Sequence, residues 1–82
     1  MHCFVYKSLR KTGTYIYLRE QDAFTLLPPT LYQALAPFSF VLELALSPER
    51  KLAQEDVETV LVNLRGSGFH LQLPRDTPGT AH

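Results

Sequence analysis

Four stretches of the chain alternate side-chain character at a period of two: CFVYKS (3–8), TYIYLR (14–19), FSFVLELAL (38–46) and GFHLQLPR (68–75). Successive side chains of a strand point to opposite faces of a sheet, so this pattern commits the chain to a sheet of about four strands. In the first stretch Cys3 and Val5 oppose Phe4 and Tyr6; in the second, Ile16 and Leu18 oppose Tyr15, Tyr17 and Arg19. Both faces carry apolar or aromatic bodies, which predicts cover on both sides. The polar, glycine-terminated link LRKTG joins these two as a hairpin with a loop longer than two residues. The third stretch sets Phe38, Phe40, Leu42, Leu44 and Leu46 against Ser39, Val41, Glu43 and Ala45, and reads as a central strand. The fourth sets Phe69, Leu71 and Leu73 against His70 and Gln72. Its polar side is expected to line the less apolar face, or the edge, of the sheet.

The period changes between the strands. A short helical turn fits residues 20–24, and LLPPTLYQALAP (26–37) holds a second helix. There Pro29 suits the first turn, Leu31 and Leu35 share a side, and Pro37 forces a stop. The strongest helix is predicted over residues 54–66, where Val57, Val60, Leu61 and Leu64 recur at helical spacing. Glu55, Asp56 and Glu58 are read as first-turn residues that favour the helix dipole, with Arg65 in the last turn. Gly66 or Gly68 is placed to end it. The order ββααβαβ defines an α/β fold with helices flanking the sheet, one domain over residues 1–74 and a flexible C-terminal tail over 75–82. If the last two strands pair in parallel across helix 54–66, the crossover is expected to be right-handed.

Eighty-two residues lie near the lower limit for a self-sufficient core. No apolar run approaches the ~18 residues of a membrane span, and MHCFVYKSLR lacks the order of a signal peptide. Cys3 is the single cysteine and has no internal disulfide partner, which fits a reducing compartment. The expected location is therefore cytoplasmic. Net charge is zero but unevenly spread: residues 1–19 carry Lys7, Arg10, Lys11 and Arg19 with no acid, whereas seven acids and two bases fall in 20–58.

Taken together, CFVYKSLRK, the YIYL strand, LSPERKLAQEDVETVLVNL and GFHLQLP resemble the YcgL-like family of small bacterial proteins. Its members share a Cys-x-x-Tyr-Lys/Arg-Ser strand, a Tyr-x-Tyr strand, a Pro-Glu-Arg-Lys-Leu or similar turn and a Gly-Tyr-Tyr-Leu-Gln-Leu/Met-Pro strand. The likeness covers roughly residues 3–74. It implies an α/β/α sandwich and no established activity, so it transfers no catalytic role to Cys3, Tyr6, Lys7, Ser8 or Arg50. His70 stands where the family usually has tyrosine, and Ala36 replaces a usual glycine before Pro37.

Several constellations carry possible chemistry. A Cys3–His70 nucleophilic dyad needs hydrogen-bond reach between two strands, and no oxyanion-hole motif or third orienting acid accompanies it. A metal site is disfavoured because no paired Cys/His spacing of the zinc type exists, and no cofactor motif is present. A basic surface of Lys7, Arg10, Lys11, Arg50 and Lys51, with Tyr15 and Tyr17 as stacking faces, would suit an anion or nucleic acid. The expectation from sequence is a non-enzymatic domain that binds another protein through an exposed sheet edge or the basic hairpin loop, with His70 available to a partner. Weak nucleic-acid or anion binding through the basic residues is the alternative. A cysteine-dependent enzyme is a lesser one.

Overall fold

The structure, a computed structural model, describes residues 1–49, 52 and 55–74. Arg50, Lys51 and the tail expected over 75–82 lie outside the described residues. The elements are β1 (His2–Ser8), β2 (Tyr15–Leu18), a 3-10 turn (Phe24–Leu26), α1 (Pro29–Leu35), β3 (Phe38–Ala45), α2 (Val57–Gly66) and β4 (Phe69–Gln72). They form a small α/β domain: a four-stranded sheet in the order β3-β1-β2-β4 with two helices. Every pairing is antiparallel.

β1 and β2 are the expected hairpin, in register from Phe4 opposite Leu18 to Lys7 opposite Tyr15. Its loop is closed by the Ser8 amide on the Thr14 carbonyl and the Thr14 amide on the Lys11 carbonyl. The buried Ser8 hydroxyl donates to the Leu35 carbonyl at 2.6 Å and accepts from the amides of Arg10 and Lys11. One side chain thus shapes the loop and fastens it to the end of α1.

The alternation of β1 and β2 sorts the core into two clusters on opposite faces. Cys3, Val5, Tyr17 and Leu46 pack with Val57, Val60, Leu61 and Leu64 of α2. Tyr6, Ile16 and Leu18 pack with Leu27 and Leu35, beside Phe24, Leu31 and Phe38. Both helices therefore bury the stripe that their spacing indicated. Ile16, Leu18, Val60 and Leu64 are fully buried, and each such side chain contributes about 1.5–3 kcal/mol of transfer free energy.

Two expectations about β3 are corrected. Among the described residues β3 is an edge strand, paired only with β1, and β4 forms the opposite edge, so no parallel crossover joins them. The apolar set of β3 also does not share one face. Val5 pairs with Leu42 but Tyr6 pairs with Phe40, which leaves Val41 as the extra residue of a β-bulge. The shift sends Phe38 and Phe40 to the Tyr6 face, whereas Leu44 and Leu46 join the α2 face.

α2 starts later than the sequence spacing suggests. Asp56 is its N-cap and accepts from the Thr59 amide at 3.1 Å; Glu58 lies in the first turn, and Glu55 is outside the helix. Arg65 occupies the last turn as expected. Of the two candidate glycines Gly68 takes the left-handed conformation, with φ +87°, while Gly66 is still helical.

Candidate functional site

The least ordinary chemistry lies between α2 and β4. Residue alternation on β4 turns Phe69 and Leu71 toward the Leu18 face and His70 and Gln72 toward α2, where both are buried. The polar side of the strand thus faces a helix instead of solvent. His70 is only 6% exposed and stands opposite Tyr17 in the sheet register. Its Nδ1 is 2.8 Å from Nδ2 of Asn63 and its Nε2 is 2.5 Å from Oε1 of Glu55. With the Asn63 amide donating to Nδ1, the proton of a neutral imidazole sits on Nε2 and points at the carboxylate. Beside it, the Tyr17 hydroxyl donates to Oε1 of Gln72 at 2.7 Å. Burial, then the charge of Glu55, push the Tyr17 phenol up to about 12, with smaller contributions from Cys3 and Tyr15. No described buried side-chain nitrogen or oxygen lacks a partner.

These contacts define what the group can do. Both ring nitrogens of His70 are engaged by Asn63 and Glu55, and the Cys3 thiol is buried in the α2-side cluster. Tyr17 offers no open ring face, whereas Tyr15 is only partly buried. Among the described residues no group of three or more His, Cys, Asp or Glu side chains is arranged to hold a metal ion. Glu55 and Asn63 are the partners that sequence reasoning missed. In the sequence Glu55 reads as a residue favouring the helix dipole, and no spacing rule links it to a histidine on a later strand.

Of the basic surface expected from sequence, Arg50 and Lys51 lie outside the described residues. Lys7 is exposed on β1 beside Tyr15, and Lys11 is exposed in the hairpin loop. Arg10 reaches away to α1, where Nη1 donates to the Gln33 carbonyl at 2.9 Å. Glu49, Glu55, Asp56 and Glu58 line a hollow at the start of α2, an unfavourable neighbour for phosphate.

The sheet edge is the second distinctive region. Phe40, Val41 and Leu42 are 51%, 40% and 41% exposed, three consecutive large apolar side chains on β3. A shallow hollow of about 200 Å³ lies beside them, between Val41, Leu42 and Leu44 on one side and Tyr15 and Gln72 on the other. On the opposite face Phe40 packs edge-on to Tyr6, and Phe24 stacks on Phe38 with centroids 5.2 Å apart. Tyr6 donates to Asp22 at 2.8 Å, and burial raises its phenol pKa.

Comparison with known proteins gives a consistent result. The YcgL domain matches residues 3–75. A YcgL domain-containing protein of Xanthomonas oryzae pv. oryzae is 57% identical over 75 residues, which span 92% of this chain and 87% of the relative. One from Xanthomonas campestris pv. campestris is 52% identical over the same shares of each chain. One from Thioalkalivibrio sulfidiphilus is 54% identical over 74 residues, 90% of this chain and 91% of the relative.

Proposed function

The chain belongs to the YcgL domain family, and from that membership together with its open β3 edge we propose that it is a non-enzymatic domain that binds protein through that edge. The observation that carries the reading is the run Phe40, Val41 and Leu42, each two-fifths or more exposed on a strand whose outer side pairs with no other described strand. Exposed apolar side chains beside unpaired backbone groups are the recognition elements of strand addition. The engagement of both His70 nitrogens supports the non-enzymatic part. The packing of α2 on one face, and of α1 with the 3-10 turn on the other, supports the α/β/α sandwich that the family resemblance implies. No described helix is long and apolar enough to cross a membrane, and with a single cysteine this supports a cytoplasmic setting.

The test is affinity capture from bacterial lysate with the wild-type chain and with Val41→Lys as baits, each with and without nuclease. Protein retained by wild type, indifferent to nuclease and lost with Val41→Lys supports the reading. Retention that disappears with nuclease overturns it in favour of a nucleic-acid contact through Lys7 and Lys11, which would also weaken steeply with salt. Equal retention by both baits moves the contact away from β3.

A further inference from the structure

The outward backbone groups of β3 follow a pattern with internal symmetry. Met1 and Leu46 exchange two backbone hydrogen bonds, at 2.7 and 2.8 Å, and the Leu9 amide donates to the Pro37 carbonyl at 2.8 Å. These pairs fix which backbone groups of β3 turn inward to β1, because inward and outward residues alternate along an antiparallel strand. Counting in from Leu46, residues 44 and 42 turn inward; counting in from Pro37, residue 39 does. The bulge at Val41 absorbs the change of phase between the two halves. Phe38, Phe40, Glu43 and Ala45 therefore direct their amides and carbonyls outward, away from β1.

This outward set is two residues apart, then three, then two. A straight partner strand can match Phe38 and Phe40, or Glu43 and Ala45, but loses phase across the bulge. A strand with the same bulge, run antiparallel, matches all four. We propose that this partner is a second copy of the chain, paired β3 to β3 about a two-fold axis, with Phe38 opposite Ala45 and Phe40 opposite Glu43 of the other copy. Val41 of each copy then faces Leu42 of the other at the axis, so two of the three exposed apolar residues cover each other, while Phe40 lies opposite Glu43. The contact is isologous and closes as a dimer, whereas pairing of the eight-residue β3 with the four-residue β4 of another copy is head-to-tail and leaves free edges. Zero net charge removes overall repulsion between copies. Two strand edges bury less than the ~1,200 Å² of a standard interface, so the dimer is weak and dissociates on dilution.

The inference rests on the reading of β3 as the contact edge and adds the partner and the register. Sedimentation of the full chain from roughly 10 µM to 1 mM tests it. A reversible shift from the 9.3 kDa monomer toward twice that mass is expected. Val41→Lys places two like charges near the axis and should weaken the dimer at least tenfold. Mixing Val41→Lys with Leu42→Glu should restore a heterodimer, because the register sets these positions opposite each other. Nuclear magnetic resonance spectra of each variant verify the monomer fold. If Val41→Lys does not fold, Ala45→Pro, which deletes an outward amide on an edge strand, serves instead. A monomer throughout, a dimer indifferent to both edge variants, or a mixture that stays monomeric overturns the proposal. A monomeric chain that still captures another protein in an edge-dependent manner overturns only self-pairing; a monomer that captures nothing overturns the edge reading as well.

Discussion

Nε2 of His70 on β4 lies 2.5 Å from Oε1 of Glu55, ahead of the first turn of α2, and the two side chains tie the entry of the helix to the last strand of the sheet. The pair is shielded, with side-chain exposures of 7% and 23%. His70→Ala strands both Glu55 and Asn63 and is expected to cost about 1–3 kcal/mol in denaturant unfolding. His70→Tyr, which supplies a hydroxyl donor, should cost less. A double-mutant cycle with Glu55→Gln should show non-additivity, and strict additivity would mean that the contact contributes nothing measurable.

Tyr17 gives a pH signature. Its folded pKa of about 12 exceeds the ordinary tyrosine value of 10.0, so between these values the unfolded chain has released a proton that the folded chain retains. Stability is fully present below pH 10 and falls as pH rises toward 12. An ultraviolet phenolate titration should contain a late step that Tyr17→Phe removes. Persistence of that step in the variant would assign it to another tyrosine.

Gly68 is expected to tolerate no side chain. Its φ of +87° costs an L-residue about 1–2 kcal/mol, and an added Cβ would stand 2.9 Å from Cδ1 of Leu26. Gly68→Ala should lower the midpoint of thermal unfolding. In a Leu26→Ala background the loss should shrink but persist, because only the steric part is relieved.

Ser8→Ala removes a buried hydroxyl that serves the Leu35 carbonyl and the amides of Arg10 and Lys11. We expect a loss of about 1–3 kcal/mol, together with faster amide exchange at Arg10 and Lys11. Unchanged exchange at those two amides would show that the loop is held by its backbone bonds alone.

The readable parts of the fold were those set by neighbours in sequence. Leu31 and Leu35 announced α1, and Val57, Val60, Leu61 and Leu64 announced α2, because helical spacing and burial describe the same stripe. The hairpin was equally legible from its short link and two-sided strands. β3 was not, because an apolar alternation records that a strand can be buried and does not record which strands flank it. Nor does any residue type mark the single-residue slip at Val41 that divides the strand between two faces. At the candidate site His70 was visible as a polar residue in an apolar strand. Its partners were not, since Glu55 precedes α2, Asn63 lies in its interior, and both meet His70 only after β4 is docked.

The strand order also dictates how the chain assembles. The two inner strands are joined by a short loop, while each outer strand is drawn from a distant part of the sequence, with Phe40 added beside Tyr6 and His70 beside Tyr17. Closing the inner pair fixes few residues, and each outer pairing pays a larger loop entropy. By loop closure alone, the inner pair is the least costly contact of the sheet. Its last strand completes the second edge and, through His70, anchors the approach to the helix that precedes it.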